Sequence, residues 1–445
     1  MRGSDAVMHI LERAMRGSSA DETEALYLGN DTHLTRFANN YVHQNVSETN
    51  ARLVVRTVVD GRVGTASTND LAPESVKRTL QTATNAALAQ EPSSTFPGLA
   101  PSAAASEPDV YDEATANLSA AERAEAASVL CERANTAGFS AAGTYANGAV
   151  DMGYANSNDQ RLFHKRTEAE VSTVYQGPTA SGYADRRGTR TADLDVESVA
   201  QEALDRTQSA QNPQDIEPGT YEVLLDPYAV HDVANFMATL GFGARAVQEG
   251  RSFMAGRMGE PVMSPEITFW DDGSDPAGYA APFDYEGTPK RRVELVTNGV
   301  AQGVVYDRST AHNDHTESTG HAVPPGGTSG PLPLNLFLAP GQKSHNELLA
   351  GIERGVLVTR FWYTRTVHPL SVLITGMTRD GTYLIEDGRV TKPVRNLRFT
   401  TSYLEALNDV RGVGRDTFLG AGRLGGTRVP ALHLGSFNFT GVTEF

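Results

Sequence analysis

The stretch Arg52-Leu53-Val54-Val55-Arg56-Thr57-Val58-Val59, followed at once by Asp60-Gly61, decides the architecture of the first part of the chain. β-Branched residues dominate it, and Asp-Gly is a favoured hairpin dipeptide because a tight two-residue turn needs positive φ. With the strand pattern that runs from Ala25 to Ser67, this predicts an antiparallel sheet.

Helical patterns flank that sheet. Ser4 begins one with Val7, Leu11, Ala14 and Met15 on a single face and Gly17 as its stop signal. Pro73 opens another, in which Val76, Leu80, Ala83 and Ala87 recur at helical spacing. Residues 1–91 therefore read as an N-terminal α+β domain. Residues 92–118 hold Pro92, Pro97, Pro101 and Pro108 among many Ala and Ser, the composition of a linker.

Ser119 and Glu122 have capping-box spacing and start a helix that stops near Gly138. Strands follow through Tyr154, the Asn158-Asp159 turn and Val171 to Tyr175, then a helix from about Val196 to Gln208. Residues 119–217 are expected as a middle α+β segment that packs with the N-terminal domain. The turn formers from Asn212 to Gly219 mark a boundary. Beyond it, residues 218–445 read as one helix, roughly Ala229 to Gln248, and then short strands with Gly/Pro turns and a longer loop from His312 to Pro333. The fold class is α+β: N-terminal helix and antiparallel-sheet layers followed by a predominantly β C-terminal domain.

Composition narrows the function. The 445 residues carry 38 basic and 54 acidic side chains, a formal charge of −16, which opposes attraction to phosphate backbones and anionic lipid. Neither nucleic acid nor membrane is expected as a partner. No apolar run approaches the ~18–20 residues that span a bilayer, and the first helix carries Glu12, so a cytoplasmic location is expected. Cys131, the lone cysteine, reads as a small buried thiol.

Chemistry is most conspicuous at His231-Asp232-Val233-Ala234-Asn235-Phe236. A catalytic zinc takes three protein ligands and keeps an open position, and a His-Glu-spaced-His helix supplies two of them with a general base. Here one His is present, Asp232 follows it, and Asn235 and Phe236 stand where a helix would return a second ligand. Neither can replace an imidazole.

Around and after this helix come Glu249-Gly250-Arg251-Ser252-Phe253, Ser318-Thr319-Gly320-His321-Ala322, Arg360-Phe361-Trp362-Tyr363, Gly381-Thr382-Tyr383-Leu384-Ile385-Glu386-Asp387-Gly388 and Val429-Pro430-Ala431-Leu432. In this order they resemble the TldD/PmbA family of metalloprotease-related proteins. The resemblance implies that catalytic members carry a His-Glu-x-x-x-His helix and a later Cys as zinc ligands, whereas the PmbA (TldE) type lacks them and serves as partner subunit. This sequence is similar to the second type: Cys131 precedes His231, and Gly420-Ala421-Gly422-Arg423-Leu424-Gly425-Gly426, near where the later ligand would fall, holds no Cys.

The expectation is thus a chain with no confident catalytic residue and no metal or cofactor of its own, with degenerate zinc-helix positions at His231, Asp232 and Phe236. Zinc is expected in a TldD-like partner subunit, with unfolded or extended peptide as substrate. Ser318, Thr319, Gly320, His321, Arg360 and Trp362 are the candidates for lining a peptide cleft; Arg360 to Arg365 could present a strand edge to a peptide, or form a core strand with Phe361 and Tyr363 inward. Two alternatives stay open: a self-sufficient metallopeptidase, perhaps a homodimer, recruiting His231 with the His312, Asp314, His315, Glu317 and His321 loop; and a peptide-binding module without proteolysis. The loop's histidine spacings match no zinc signature, and the glycines of 412–414 and 420–426 lack the Gly-Lys-Ser/Thr ending of a phosphate loop.

Overall fold

The computed structural model describes residues 2–422 and 425–443. Its elements run α1 (Ser4–Arg16), β1 (Glu22–Ala38), β2 (Tyr41–Val59), β3 (Arg62–Thr68), α2 (Pro73–Leu88), α3 (Glu113–Ala116), α4 (Ala120–Thr136), β4 (Ser140–Asn156), β5 (Arg161–Gln176), β6 (Ser181–Gly188) and α5 (Val196–Ser209). Then come β7 (Gly219–Leu225), α6 (Pro227–Gly241), α7 (Ala244–Gln248), β8 (Phe269–Asp271), β9 (Val293–Thr297), β10 (Val300–Ala301), α8 (Arg308–Asn313), β11 (Asn335–Leu338) and α9 (His345–Ala350). The chain ends with β12 (Arg354–His368), β13 (Leu373–Glu386), β14 (Arg389–Pro393), β15 (Leu397–Ser402), α10 (Tyr403–Ala406), β16 (Val410–Ala421) and β17 (Gly426–Val442).

Among the described residues the strands form two sheets. The first is antiparallel, ordered β3-β2-β1-β4-β5-β6. The β2–β3 turn places Asp60 at φ 49° and Gly61 at φ 72°, the backbone that Asp-Gly supplies at low strain. Gly64 on β3 lets α2 lie flat on the sheet, since a Cβ there would stand 2.1 Å from the Ala83 carbonyl oxygen. Helix α1 buries Val7, Ile10, Leu11 and Ala14, and α4 starts at the Ser119/Glu122 capping box.

Because β1 pairs with both β2 and β4, the first and middle segments share one continuous sheet. Residues 92–118 lie against it rather than standing free: Leu99, Ala100 and Val110 are buried, Asn156 Nδ2 donates to the Ala100 carbonyl at 2.7 Å, and Thr167 N donates to that of Val110.

The second sheet has eleven strands, and part of it closes on itself. β17 pairs with β15, β15 with β13, β13 with β12, β12 with β7 in parallel, and β7 with β17 again. Closure removes free edges and encloses Phe361, Phe399, Tyr403, Phe437 and Phe439 beneath α6. Three of these strands are long, 15 residues in β12, 14 in β13 and 17 in β17, against the short strands expected.

Two further details differ from the sequence reading. The single helix expected from Ala229 to Gln248 breaks between Gly241 and Ala244, where Gly243 approaches the Pro331 carbonyl so closely that a Cβ would sit 2.3 Å from its oxygen. On β12, Phe361 is buried as expected, but Tyr363 has φ 55° and points outward, 65% exposed. The pairing with β13 slips between Trp362 and Arg365, and such an irregularity turns the next side chain to the other face.

Candidate functional site

Helix α6 follows the buried strand β7, with Pro227 in its first turn, and so projects from the closed part of the sheet toward the first domain. His231 and Asp232 sit on its first two turns, but their side chains diverge.

The His231 ring faces β16 and β17. Asn235, one turn on, presents Nδ2 to His231 Nε2 at 3.0 Å, and Asn235 Oδ1 accepts from Thr427 Oγ1 at 3.2 Å. Gly420 packs against the same ring, where a Cβ would lie 2.4 Å from Nε2. Phe418 packs edge-on at 6.0 Å between centroids. Burial, together with the nearby Arg187 charge, pushes the His231 pKa down to about 4, so the ring is neutral at physiological pH.

Asp232 faces the core, where Oδ1 accepts from Thr364 Oγ1 and Oδ2 from Tyr403 Oη, each at 2.9 Å. Phe236 packs on the Tyr403 ring at 5.9 Å. Burial pushes the Asp232 pKa up to about 6, from 3.8 for the free side chain, in spite of both hydroxyl donors. A carboxyl whose folded pKa is raised contributes stability that is full below the unfolded pKa and lost as pH climbs through the folded one. Asp232→Asn removes this titration. The variant is expected to gain about 2–3 kcal/mol relative to wild type between pH 4 and pH 7.5, read from urea unfolding at both pH values; parallel pH profiles for the two proteins would refute it.

This environment does not fit a catalytic zinc. The groups around His231 are an amide, a hydroxyl, a phenyl ring and a glycine backbone, not the imidazole, thiolate or carboxylate that such an ion takes. Among the described residues no group of three or more His, Cys, Asp or Glu is placed to hold a metal. Arg423 and Leu424 of the glycine-rich stretch lie outside the described residues. Cys131 is buried in the helix-and-sheet core of the first domain, where desolvation pushes its thiol up to about 11.

The loop group is split as well. His312, Asp314, His315 and Glu317 are exposed, whereas His321 is fully buried. His321 Nε2 bonds Asp271 Oδ1 at 2.7 Å, Nδ1 lies 2.9 Å from Thr319 Oγ1, and the Asn335 amide donates to Asp271 Oδ2 at 2.7 Å. Desolvation lowers the His321 pKa, so a neutral ring donates to an ionised Asp271 held low by that bond and by the Lys290 charge. Ser318 Oγ donates to the Tyr306 carbonyl at 3.1 Å, and Gly320, at φ 75°, packs on the backbone of Pro289 and Lys290. Ser318, Thr319, Gly320 and His321, expected in a peptide cleft, thus form an internal brace. The stretch was singled out by its resemblance to the family, and here its polar groups bond to one another and to neighbouring backbone.

Arg360 is not free, although past Val358 β12 pairs only with β13 among the described residues and its other edge stays open. Its Nε donates to Asp380 Oδ2 at 2.6 Å, its guanidinium lies 4.0 Å from the Tyr183 ring centroid, and Ser181 Oγ donates to Asp380 Oδ1, so β12 and β13 are tied to β6 of the first sheet. Trp362 lies between Arg360 and Arg379, 5.3 and 4.7 Å from its ring centroid.

A concave surface lies elsewhere, where the face of the first sheet meets the second domain. One cavity of about 280 Å³ is bordered by Asn147 to Val150, Glu168, Glu170, Arg187, Tyr279 and Gly422. A second, of about 210 Å³, is bordered by Leu28, Met152, His164, Phe283, Tyr285, Lys290 and Leu334. They share Val150, Arg166, Tyr279 and Gly425 and so form one cleft. Glu170 binds Arg187 through two bonds of 2.6 and 2.7 Å, and Arg187 also bonds Asp185 at 3.1 Å. Sequence reading missed these residues because they come from distant segments and none carries a motif.

A six-stranded antiparallel sheet followed by a partly closed mixed sheet makes this an α+β protein, and comparison with protein families gives its class. A family model for the PmbA/TldA metallopeptidase C-terminal domain matches residues 218–441, and one for PmbA/TldA metallopeptidase domain 1 matches residues 23–87. The chain belongs to the PmbA/TldD family.

It is 34% identical over 180 residues, 39% of its length, to an uncharacterized protein of Methanocaldococcus jannaschii, and 29% identical over 226 residues, 48% of its length, to a metalloprotease of Methanothermobacter thermautotrophicus. The matches span 42% and 47% of those relatives, less than half of each. The crystal structure of TldE from Thermococcus kodakarensis superposes with a TM-score of 0.88, covering 98% of this chain and all of that one, at 20% identity; this likeness concerns the fold.

Proposed function

We propose that this chain is the metal-free, PmbA/TldE-like subunit of a metalloprotease acting on unfolded or extended peptides inside the cell. The observation that carries the reading is the packing of His231, whose Nε2 meets the Asn235 amide at 3.0 Å and whose ring lies against Gly420. A subunit built this way supplies shape and binding surface, and the zinc, the polarised carbonyl and the activated water belong to a TldD-like partner.

The cleft supports a peptide as ligand. Glu168, Glu170 and Arg187 offer polar groups beside a cavity of about 280 Å³. The charge of −16 supports neither nucleic acid nor anionic membrane as partner, and among the described residues no helix is long and apolar enough to cross a bilayer.

Reconstitution tests the reading. The purified chain is expected to hydrolyse no unfolded peptide and to retain no stoichiometric zinc, whereas mixing it with an intact zinc-bearing TldD-type homologue from the same genome produces chelator-sensitive cleavage. Chelator-sensitive cleavage by the chain alone, abolished in His231→Ala, would instead establish a self-sufficient peptidase. Peptide binding without cleavage in any mixture would leave a binding module.

A further inference from the structure

The first sheet has an edge that no other element pairs. β3 reaches β2 only from Leu53 to Val59, so residues 41–52 of β2 have β1 on one side and, among the described residues, no strand on the other. All of this stretch is exposed except Val42 and Ala51, which are half-buried.

Two hydrogen bonds fix which backbone groups face the open side. The Val58 carbonyl accepts from Asp21 N on the β1 side, whereas Ala51 N donates to Asn50 Oδ1 at 2.9 Å. Within an antiparallel strand the N–H and C=O of one residue point the same way and successive residues alternate. Even-numbered residues therefore bond β1, and odd-numbered ones turn outward. The register is regular from Gln44 to Val58, so Asn45, Ser47 and Thr49 offer their N–H and C=O groups to the open edge. Their side chains hold the strand extended: Asn45 accepts from Thr35, Ser47 Oγ lies 3.0 Å from His33 Nδ1, and Thr49 donates to Asp31 at 2.8 Å. A strand already fixed in this form loses little freedom when another is added.

Proteins blunt a free edge with lysine, proline, bulges or cover from another element. Two other edges here follow that rule. β6 is covered by β12 and β13 through the Arg360, Asp380 and Ser181 contacts, and from Val358 onward the pairing of β12 shifts register three times. Residues 44–51 of β2 have no lysine, arginine or proline, no register shift, and one acid, Glu48.

The same stretch is complementary to itself. Antiparallel pairing about a two-fold axis at Val46 sets Val46 against Val46, Gln44 against Glu48 and Asn45 against Ser47, so that no like charges meet and an amide donor faces each carboxylate. Asn45 and Ser47 then form the hydrogen-bonded pairs. Val46, 37% exposed in the single chain, falls at the pair whose side chains come nearest. An axis at Glu48 would instead oppose two carboxylates.

From this we infer that two copies of the chain associate edge to edge through residues 44–49 of β2, joining their first sheets into one. An axis perpendicular to the sheet preserves its faces. Asn50 and Glu48 are the register partners of Asn30 and Thr32, which border the cleft, so the clefts of both copies open on the same face of the joined sheet. The pairing uses neither His231 nor a zinc-bearing chain and is independent of the function proposed above.

Sedimentation velocity of the purified chain tests it. The overlap is short for a specific interface, so a reversible dimer with a dissociation constant of about 10–100 µM is expected. Val46→Lys, a change at an exposed position, opposes two ammonium groups and is expected to weaken the dimer about 10- to 100-fold. Val46→Glu is expected to do the same, and an equimolar mixture of the two variants to recover association, because lysine then faces glutamate. Ser47→Pro removes an outward amide without removing a bond to β1 and is expected to weaken the dimer as well. Hydrogen exchange is expected to show protection of the Asn45, Ser47 and Thr49 amides that rises with protein concentration.

A chain that stays monomeric up to about 300 µM, or a dimer that Val46→Lys leaves unchanged, overturns the inference. Association only with a TldD-type homologue, blocked by Val46→Lys, also overturns it and makes that homologue the occupant of the edge.

Discussion

His321→Ala is expected to destabilise the folded chain by about 2–4 kcal/mol, because a buried carboxylate then loses the neutral imidazole that donates to it, and a hydrogen bond to a charged group is worth about 1.5–3 kcal/mol before the cost of the acceptor left short. His321 and Asp271 are both 0% exposed, and their 2.7 Å bond is the one hydrogen bond between side chains that Asp271 makes among the described residues. Without the imidazole, an ionised carboxylate remains buried with the Asn335 amide as its remaining donor. Urea unfolding at pH 7 measures the loss. The paired replacement Asp271→Leu with His321→Leu is expected to be milder than the sum of the single changes, because it leaves no orphaned charge. A loss below about 1 kcal/mol for His321→Ala, the level of an ordinary neutral hydrogen bond, would show that the pair does not brace the loop.

Arg360→Ala carries the second large effect, about 3–5 kcal/mol. Asp380 is 3% exposed, and Arg360 Nε is bonded to it at 2.6 Å. Truncation also removes a cation stacked 4.0 Å from the Tyr183 ring on the neighbouring sheet. The change thus acts on the joint between the two sheets as well as on one charge. Arg360→Lys is expected to recover part of the loss, since a lysine keeps the charge but not the planar guanidinium. Hydrogen exchange locates the effect: amides of β6 and of the β12–β13 pair are expected to exchange faster in Arg360→Ala while those of α1 and α2 keep their protection. Uniform acceleration across the chain would show only global destabilisation and count against a joint.

Much of the local structure was legible because it depends on neighbours in sequence. Pro73 at the start of α2, the Ser119/Glu122 capping box and the Asp60-Gly61 turn are each decided within a few residues. That α6 carries a single histidine and no cysteine is plain in the sequence itself. Tyr363 was misplaced, by contrast, because the irregular pairing of β12 with β13 reverses the alternation that a regular strand would keep. The break at Gly243 was also missed, as its cause is Pro331, far along the chain.

The site divides in the same way. That His231 has no second imidazole one turn along is written in the order His231-Asp232-Val233-Ala234-Asn235-Phe236. That Asn235 and Gly420 pack on its ring, that His321 and Thr319 turn inward, and that Lys290 Nζ is buried without a hydrogen-bond partner were decided by tertiary packing alone. Helix spacing and turn chemistry act over a few residues, so the sequence determines them by itself. Burial and the partner of a charge depend on segments separated by tens to hundreds of residues, and only the closed sheet and its contact with the first domain bring those together.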